Sequence, residues 1–392
     1  MNKRVRAAAL RAGAAFLLAA GTVAVAGPAY AADGPDVVVT PISLSIAKGV
    51  KEAKAKPFKV ELLNLGNADA TDVVVELDFS GLKKKIGYVV PDGCEATGDT
   101  GYRCEVGDIA AGQDLVIGVP LFNANGKRGA GGFFTVNAKV DGDTEPESNT
   151  VDVDVTVVPE TNDLTVWAQD VYAEVVADGD DADEGATKTP VPAGGTAPLD
   201  SAVFNHGSKR VVGVAYLVEL PEGASIASAP EDCYTIEYLN GVACEDEDVV
   251  LEPGEVLLPK VTVKVAEDAP EGVLFGGLVF AMALNPGAGD REDSGDQARI
   301  ATKKQKEDYG EADEIDNLAF FDVFVGPAPS GEPTPQPTTP PAPGTGGGDG
   351  DGGGLPVTGA QSGVIAGVGL AVVAAGAVLF VAMRRRRRFV AE

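Results

Sequence analysis

The sequence predicts an all-β protein of two tandem antiparallel β-sandwich modules, and three observations predict it. Apolar and polar residues alternate with period two through most of residues 36–325, long 3.6-period patterns are absent, and one plan of residues occurs twice about 141 positions apart. In the first copy Phe58, Val60 and Leu62 alternate with Lys59 and Glu61, and after a turn at Asn64 to Asn67 the set Val73, Val75, Leu77 and Phe79 repeats the pattern. Half-buried strands joined by turns read this way.

The second copy follows the same plan. Asn64-Leu65-Gly66 matches Asn205-His206-Gly207, and Val214, Tyr216, Val218 and Leu220 match the inward set of the first copy. Cys94 and Cys104 match Cys233 and Cys244, Gly112 matches Gly254, and Asn149 to Val157 aligns with Asn317 to Val325. The modules are therefore expected over 32–158 and 159–325, with a boundary near Pro159. Four Cys in two close pairs allow three pairings, and the repeat selects Cys94 with Cys104 and Cys233 with Cys244. Each disulfide would close a loop of about 11 residues, contributing roughly 2.5–3 kcal/mol in the chain-entropy model. Glu231, Asp232, Glu245 and Asp246 around the second pair disfavour a thiolate and hence a reactive role.

Both ends of the chain carry address signals. Residues 1–31 hold Lys3, Arg4, Arg6 and Arg11, an apolar run, and the small-residue frame Ala29-Tyr30-Ala31, which is a signal peptide cleaved before Ala32. At the other end stand Leu355-Pro356-Val357-Thr358-Gly359, the uncharged stretch 364–383, and Arg384 to Arg388 in the tail 384–392. Twenty helical residues at about 1.5 Å each cross the roughly 30 Å of a bilayer's hydrocarbon core, and the arginines place the tail inside. Between the modules and this end, residues 326–354 are a disordered Pro/Gly-rich linker: Pro with Thr, Ser and Ala, then Gly with two Asp. The first half should be a semi-stiff spacer and the second a flexible coil.

The order LPVTG, apolar span, Arg cluster resembles the C-terminal sorting signal of Gram-positive cell-wall proteins. The resemblance implies a sortase whose Cys attacks the Thr358 carbonyl, releases Gly359 with the span, and joins Thr358 to a peptidoglycan-precursor amine. Membrane attachment would then be limited to the precursor, and the mature protein would be secreted and anchored to the cell wall. The modules resemble the Ig-like repeats of bacterial surface proteins, including adhesion-related repeats with an N-x-G turn and an N-rich final strand. That resemblance covers most of 36–158 and 162–325 and implies a fold, with a structural or adhesive role, while the surface ligand stays unnamed.

Composition bounds the chemistry. The chain has 31 Lys plus Arg against 59 Asp plus Glu, a formal −28, and residues 32–358 hold 22 basic against 58 acidic side chains, a formal −36. No nucleic-acid partner is expected, because phosphate contacts need a basic surplus. His206 is the single His, so a His-rich metal site or a two-His relay is excluded, and it is expected to be a solvated turn residue. No catalytic residues are expected and the protein is read as not an enzyme. Asp178, Asp180, Asp181, Asp183 and Glu184 begin like a Ca²⁺ loop, but Ala182 and Asp183 break the EF-hand template, so a solvated acidic loop is expected and no cofactor beyond a weak Ca²⁺ candidacy. The enlarged loops 177–198 and 285–313 of the second copy are the alternative: a glycan- or Ca²⁺-binding module. Lys48, Lys51, Lys54, Lys56 and Lys59, with Lys83 to Lys85, could grip wall anions or dock on the acidic second module; a solvated charged edge is the expectation. Trp167, Tyr172, Tyr216, Tyr234 and Tyr238 are the aromatic candidates for a glycan platform in the second module.

Overall fold

The computed structural model describes residues 34–124, 126–173, 188–236, 239–284 and 311–327. Among these the regular structure is almost entirely strand, with a short 3₁₀ turn at Glu52–Lys54 and no α-helix. The signal peptide, the Asp178 to Glu184 loop, residues 285–310, the linker from residue 328, and the LPVTG motif, span and tail lie outside the described residues.

The first module contains β1 (Val37–Pro41), β2 (Ser45–Ala47), β3 (Lys56–Asn64), β4 (Ala70–Asp78), β5 (Gly87–Tyr88), β6 (Glu95–Ala96), β7 (Gly101–Ile109), β8 (Asp114–Phe122), β9 (Gly129–Lys139) and β10 (Thr150–Val158). They form two sheets, ordered β1-β3-β8-β5 and β2-β10-β9-β4-β7-β6. The inward residues Phe58, Val60, Leu62, Val73 and Val75 are fully buried between them. At about 25 cal/mol per Å² of apolar area, such a set is the main favourable contribution to folding. The first strand passes from one sheet to the other at Pro41–Leu44, where Pro41 offers no ladder N–H. After that crossing β2 runs parallel to β10, so the sandwich is not wholly antiparallel as expected from the alternation alone.

The second module contains β11 (Leu164–Ala168), β12 (Val191–Pro192), β13 (Thr196–Leu199), β14 (Ser201–Asn205), β15 (Val211–Glu219), β16 (Ala224–Ser228), β17 (Cys233–Ile236), β18 (Gly241–Leu251), β19 (Val256–Leu257), β20 (Val261–Val265), β21 (Gly272–Ala283) and β22 (Leu318–Gly326). Its six-stranded sheet, β12-β22-β21-β15-β18-β17, repeats the large sheet of the first module, again with a parallel edge pair, β12 with β22. β22 continues through Gly326, one residue into the predicted linker. The smaller sheet differs, because it is split into β11-β14-β19 and β13-β20-β16. Where β3 runs unbroken along β8, Asp200 interrupts the second copy between β13 and β14, and Pro259 sits between β19 and β20 without an N–H to continue the ladder.

The repeated N-x-G turn is a structural staple. Asn64 is fully buried; its amide donates to Ala68 O and Ile109 O at 2.9 Å, and its Oδ1 accepts from the N–H groups of Gly66 and Asp36. Asn205 repeats all four bonds, donating to Lys209 O and Leu251 O at 2.8 Å and accepting from Gly207 and Asp163. Glycine follows because the chain end passes against it: a Cβ on Gly66 would stand 2.2 Å from Gly34 O, and one on Gly207 2.5 Å from Thr161 O. Disulfides join Cys94 to Cys104 and Cys233 to Cys244, the latter across directly paired positions of β17 and β18.

Candidate functional site: a buried ionic centre between the modules

Two lysines at the start of β3 leave the first module and enter the second. Lys56 is fully buried, and its Nζ stands 2.7 Å from Asp163 Oδ2, 2.8 Å from Asp316 Oδ2 and 3.7 Å from Asp313 Oδ2, while donating to Ser45 O at 2.9 Å. Lys59, 1% exposed, donates through Nζ to Val166 O at 2.6 Å and Leu318 O at 2.8 Å, and its ammonium lies 5.0 Å from the centre of the Trp167 ring. The backbone joins in. Leu44 and Ser45 N–H both donate to Asp313 Oδ2, at 2.6 and 2.8 Å, and the Ser43 hydroxyl donates to Asp316 Oδ2 at 2.7 Å. These donors come from the Pro41–Ser45 crossing between β1 and β2, where the Ile42 and Ser43 N–H groups bond Lys59 O of their own module and those of Leu44 and Ser45 turn to the second module.

The acceptors come from the pole of the second module. Asp163 immediately precedes β11, and Asp313 and Asp316 lie within the five residues before β22, so the packed sheet ends bring together residues 150 or more positions apart. Asp163 Oδ1 accepts from Asp313 N–H at 3.1 Å, and Glu311 accepts from Leu164 N–H and, at 2.8 Å, from the Asn317 amide. Ala312 packs into the hydrophobic core of the first module. A peripheral pair, Lys48 with Glu160 at 3.1 Å, is exposed and adds little, about 0–1 kcal/mol. Lys54 reaches Pro253 O at the same boundary.

Electrostatics at this centre are opposed. Desolvation works to discharge Lys56, but the attraction of Asp163, Asp316 and Asp313 outweighs it, and Lys56 is held firmly charged. Burial pushes Asp163 and Asp316 up, against the pull of Lys56. Burial also pushes Glu311 up to about 7, and it lowers Lys59 to about 8 with help from the neighbouring charge of Lys56. The Lys56 ammonium supplies the cation at which the three carboxylates converge. Among the described residues no group of three or more His, Cys, Asp and Glu is arranged to hold a metal ion.

Several expectations change here. The solvated-edge reading fails for Lys56 and Lys59, and the weighed alternative, docking on the acidic second module, is what the fold builds. His206 is not a solvated turn residue: its ring stacks on Phe204 with centres 5.2 Å apart, and burial, reinforced by the charge of Lys56, lowers it to about 3. Trp167 faces Gly118 of the first module across 3.4 Å, measured from where a Cβ would stand, and so belongs to the boundary. Tyr172 stacks on Phe324 and Tyr216 is in the core, so with Trp167 they do not line up as a glycan platform. Alternation could not reveal the boundary, because the buried lysines occupy positions that look polar; the one signal was charge contrast between a basic segment and an acidic module.

No family model matches the chain, and no curated protein matches it. Among solved structures the chain is similar to the cohesin–dockerin complex Coh-OlpA-Doc918 from Clostridium thermocellum, at 10% identity and TM-score 0.26, covering 42% of this chain and 99% of that one. It is also similar to a CARDB domain from Pyrococcus furiosus solved with di-metal ions, at 18% identity and TM-score 0.20, covering 32% of this chain and 89% of that one. These likenesses assign no ligand to this chain.

Proposed function

We propose that the protein is a non-catalytic cell-surface display protein: a two-module head, exported by its signal peptide, carried on the Pro/Gly stalk and joined by a sortase through Thr358 to peptidoglycan. The observation that carries the display reading is the ionic centre. A buried ion pair is poor at raising stability, since a hydrophobic replacement of similar volume is often neutral or better. What several directional bonds to Lys56, Ser43, Leu44 and Ser45 provide is one fixed angle between the modules, which suits a spacer or presentation surface. Two local disulfides support export into an oxidising compartment. Anchoring rests on the sequence order of LPVTG, apolar stretch and Arg cluster.

The test is intact-mass measurement of the protein released from purified cell walls by a muralytic enzyme, for the wild type and Thr358→Ala. Wild-type chains should end at Thr358 with attached peptidoglycan fragments, while the variant stays with the membrane. If both keep Arg384 to Arg388, anchoring through Thr358 is wrong.

A further inference from the structure

The two modules are copies, so each serves as a reference for the other, and they differ most sharply on the outer face of the large sheet. In the first module this face is mainly polar, with Phe133 as an exposed apolar exception. Glu76 pairs with Lys139 at 3.5 Å, Arg103 with Glu95 at 3.0 Å, and Thr135 donates to Asp152 at 2.6 Å. Strand register assigns the equivalents. Glu76 lies opposite Arg103 and Asn137 as Leu217 lies opposite Ala243 and Phe280; Glu95 opposes Arg103 as Tyr234 opposes Ala243; Val74 opposes Lys139 as Ala215 opposes Met282; and Thr135 opposes Asp152 as Leu278 opposes Phe320. At every one of these places except Val74, which is already apolar, a charged or hydrogen-bonding side chain has given way to Leu, Ala, Phe, Met or Tyr. The result is a continuous apolar strip across β17, β18, β15, β21 and β22.

Leu217, Ala243 and Leu278 are buried within the strip, the first two clustered with Ile236 and Leu239, while Phe280 and Met282 stay partly open to solvent. Phe320 is 50% and Tyr234 44% exposed, and Leu217, Tyr234, Ala243, Phe280 and Met282 line a shallow cleft. An outward sheet face with this composition marks an interaction surface, because monomeric proteins keep exposed apolar patches small. The charge around it selects the occupant. Glu219, Glu245 and Asp322 lie on the same face by alternation, and none of the six strands carries Lys or Arg. A second copy would bring the same acidic rim against this one, and an anionic membrane surface would be repelled.

We infer that the outer face of the second module's large sheet is a docking surface for another protein that presents apolar side chains flanked by lysines or arginines. The inference does not depend on how the chain is attached to the cell. It is tested with a fluorescein-labelled twelve-residue peptide alternating Phe or Leu with Lys, a matching peptide with Glu for Lys, and the purified chain as wild type and as the triple variant Tyr234→Glu, Phe280→Asn, Phe320→Asp. The variant installs the first module's own side chains, and equal melting temperatures verify its fold; if it melts early, Phe320→Asp alone replaces it. The lysine peptide should bind the wild type at least tenfold more tightly than the variant and protect β15 and β21 from hydrogen exchange, and the Glu peptide should not bind. Equal binding of the lysine peptide to both chains would mean diffuse charge attraction and would overturn the assignment, as would no binding at all. A wild type that sediments as a dimer while the variant is monomeric would give the face to a second copy. Binding that appears only after deletion of residues 286–310 would give it to the chain itself.

Discussion

Replacing Lys56 by Met keeps the length of the side chain and removes its ammonium, leaving Asp163, Asp313 and Asp316 converged in a buried site with no countercharge. Lys56 and Asp163 are both fully buried, so neither the loss nor the residue left behind is relieved by solvent. Breaking a buried pair from one side costs about 3–5 kcal/mol. For domains of this size each kcal/mol moves a melting temperature by about 2–4 °C, so the shift is roughly 6–20 °C. The cost should fall on the second module, which retains the stranded carboxylates, and the link between modules should loosen. Scanning calorimetry should therefore show one transition for the wild type and two for Lys56→Met, and solution scattering should show a larger radius of gyration. Adding Asp163→Asn and Asp316→Asn removes the stranded charge and should recover most of the lost stability. A single unshifted transition in Lys56→Met would refute the idea that this ion cluster couples the modules.

The remaining predictions concern pH and the asparagine staples. Burial raises Glu311 to about 7, so the folded chain binds its proton more tightly than the unfolded one; the stabilisation is complete below the ordinary value of 4.5 and is lost as pH rises through about 7. Glu311→Gln should flatten the fall in melting temperature between pH 5 and 8, and an unchanged slope would mean that the carboxyl does not titrate in that window. His206, lowered to about 3, works in the opposite sense: its contribution is present above the ordinary 6.5 and is lost as pH falls toward 3, so His206→Leu should soften acid unfolding measured by circular dichroism between pH 6 and 4. Asn205→Ala deletes four hydrogen bonds and leaves buried backbone groups unpaired, a loss of about 2–4 kcal/mol by urea unfolding. Asn64→Ala should cost a similar amount, and a loss under 0.5 kcal/mol at both would show that the repeated motif is not a staple.

The sequence by itself determined the features that repeat or alternate. Period-two patterning placed Phe58, Val60, Leu62 and their counterparts in the core, because side chains on a strand must alternate between its faces. The repeat identified the Asn-x-Gly turns, although their role, one amide closing four backbone positions, became visible only when the first strand of each module was laid against its turn. The parallel edge strands β2 and β12 follow from the chain changing sheets, which a local pattern does not encode. The ionic centre was the least legible part. Lys56 and Lys59 look like surface residues at sequence range, Asp313 ends what reads as an acidic insertion and Asp316 follows it; only the packing of one module's flank on the other's pole removes water from all four. Likewise, alternation at Leu217, Phe280 and Phe320 reads as a strand apolar on both faces, and it takes the register against Glu76, Asn137 and Asp152 to show that one of those faces points out of the sandwich. Local periodicity records which way a side chain points, whereas burial and charge pairing depend on what the rest of the chain brings up against it.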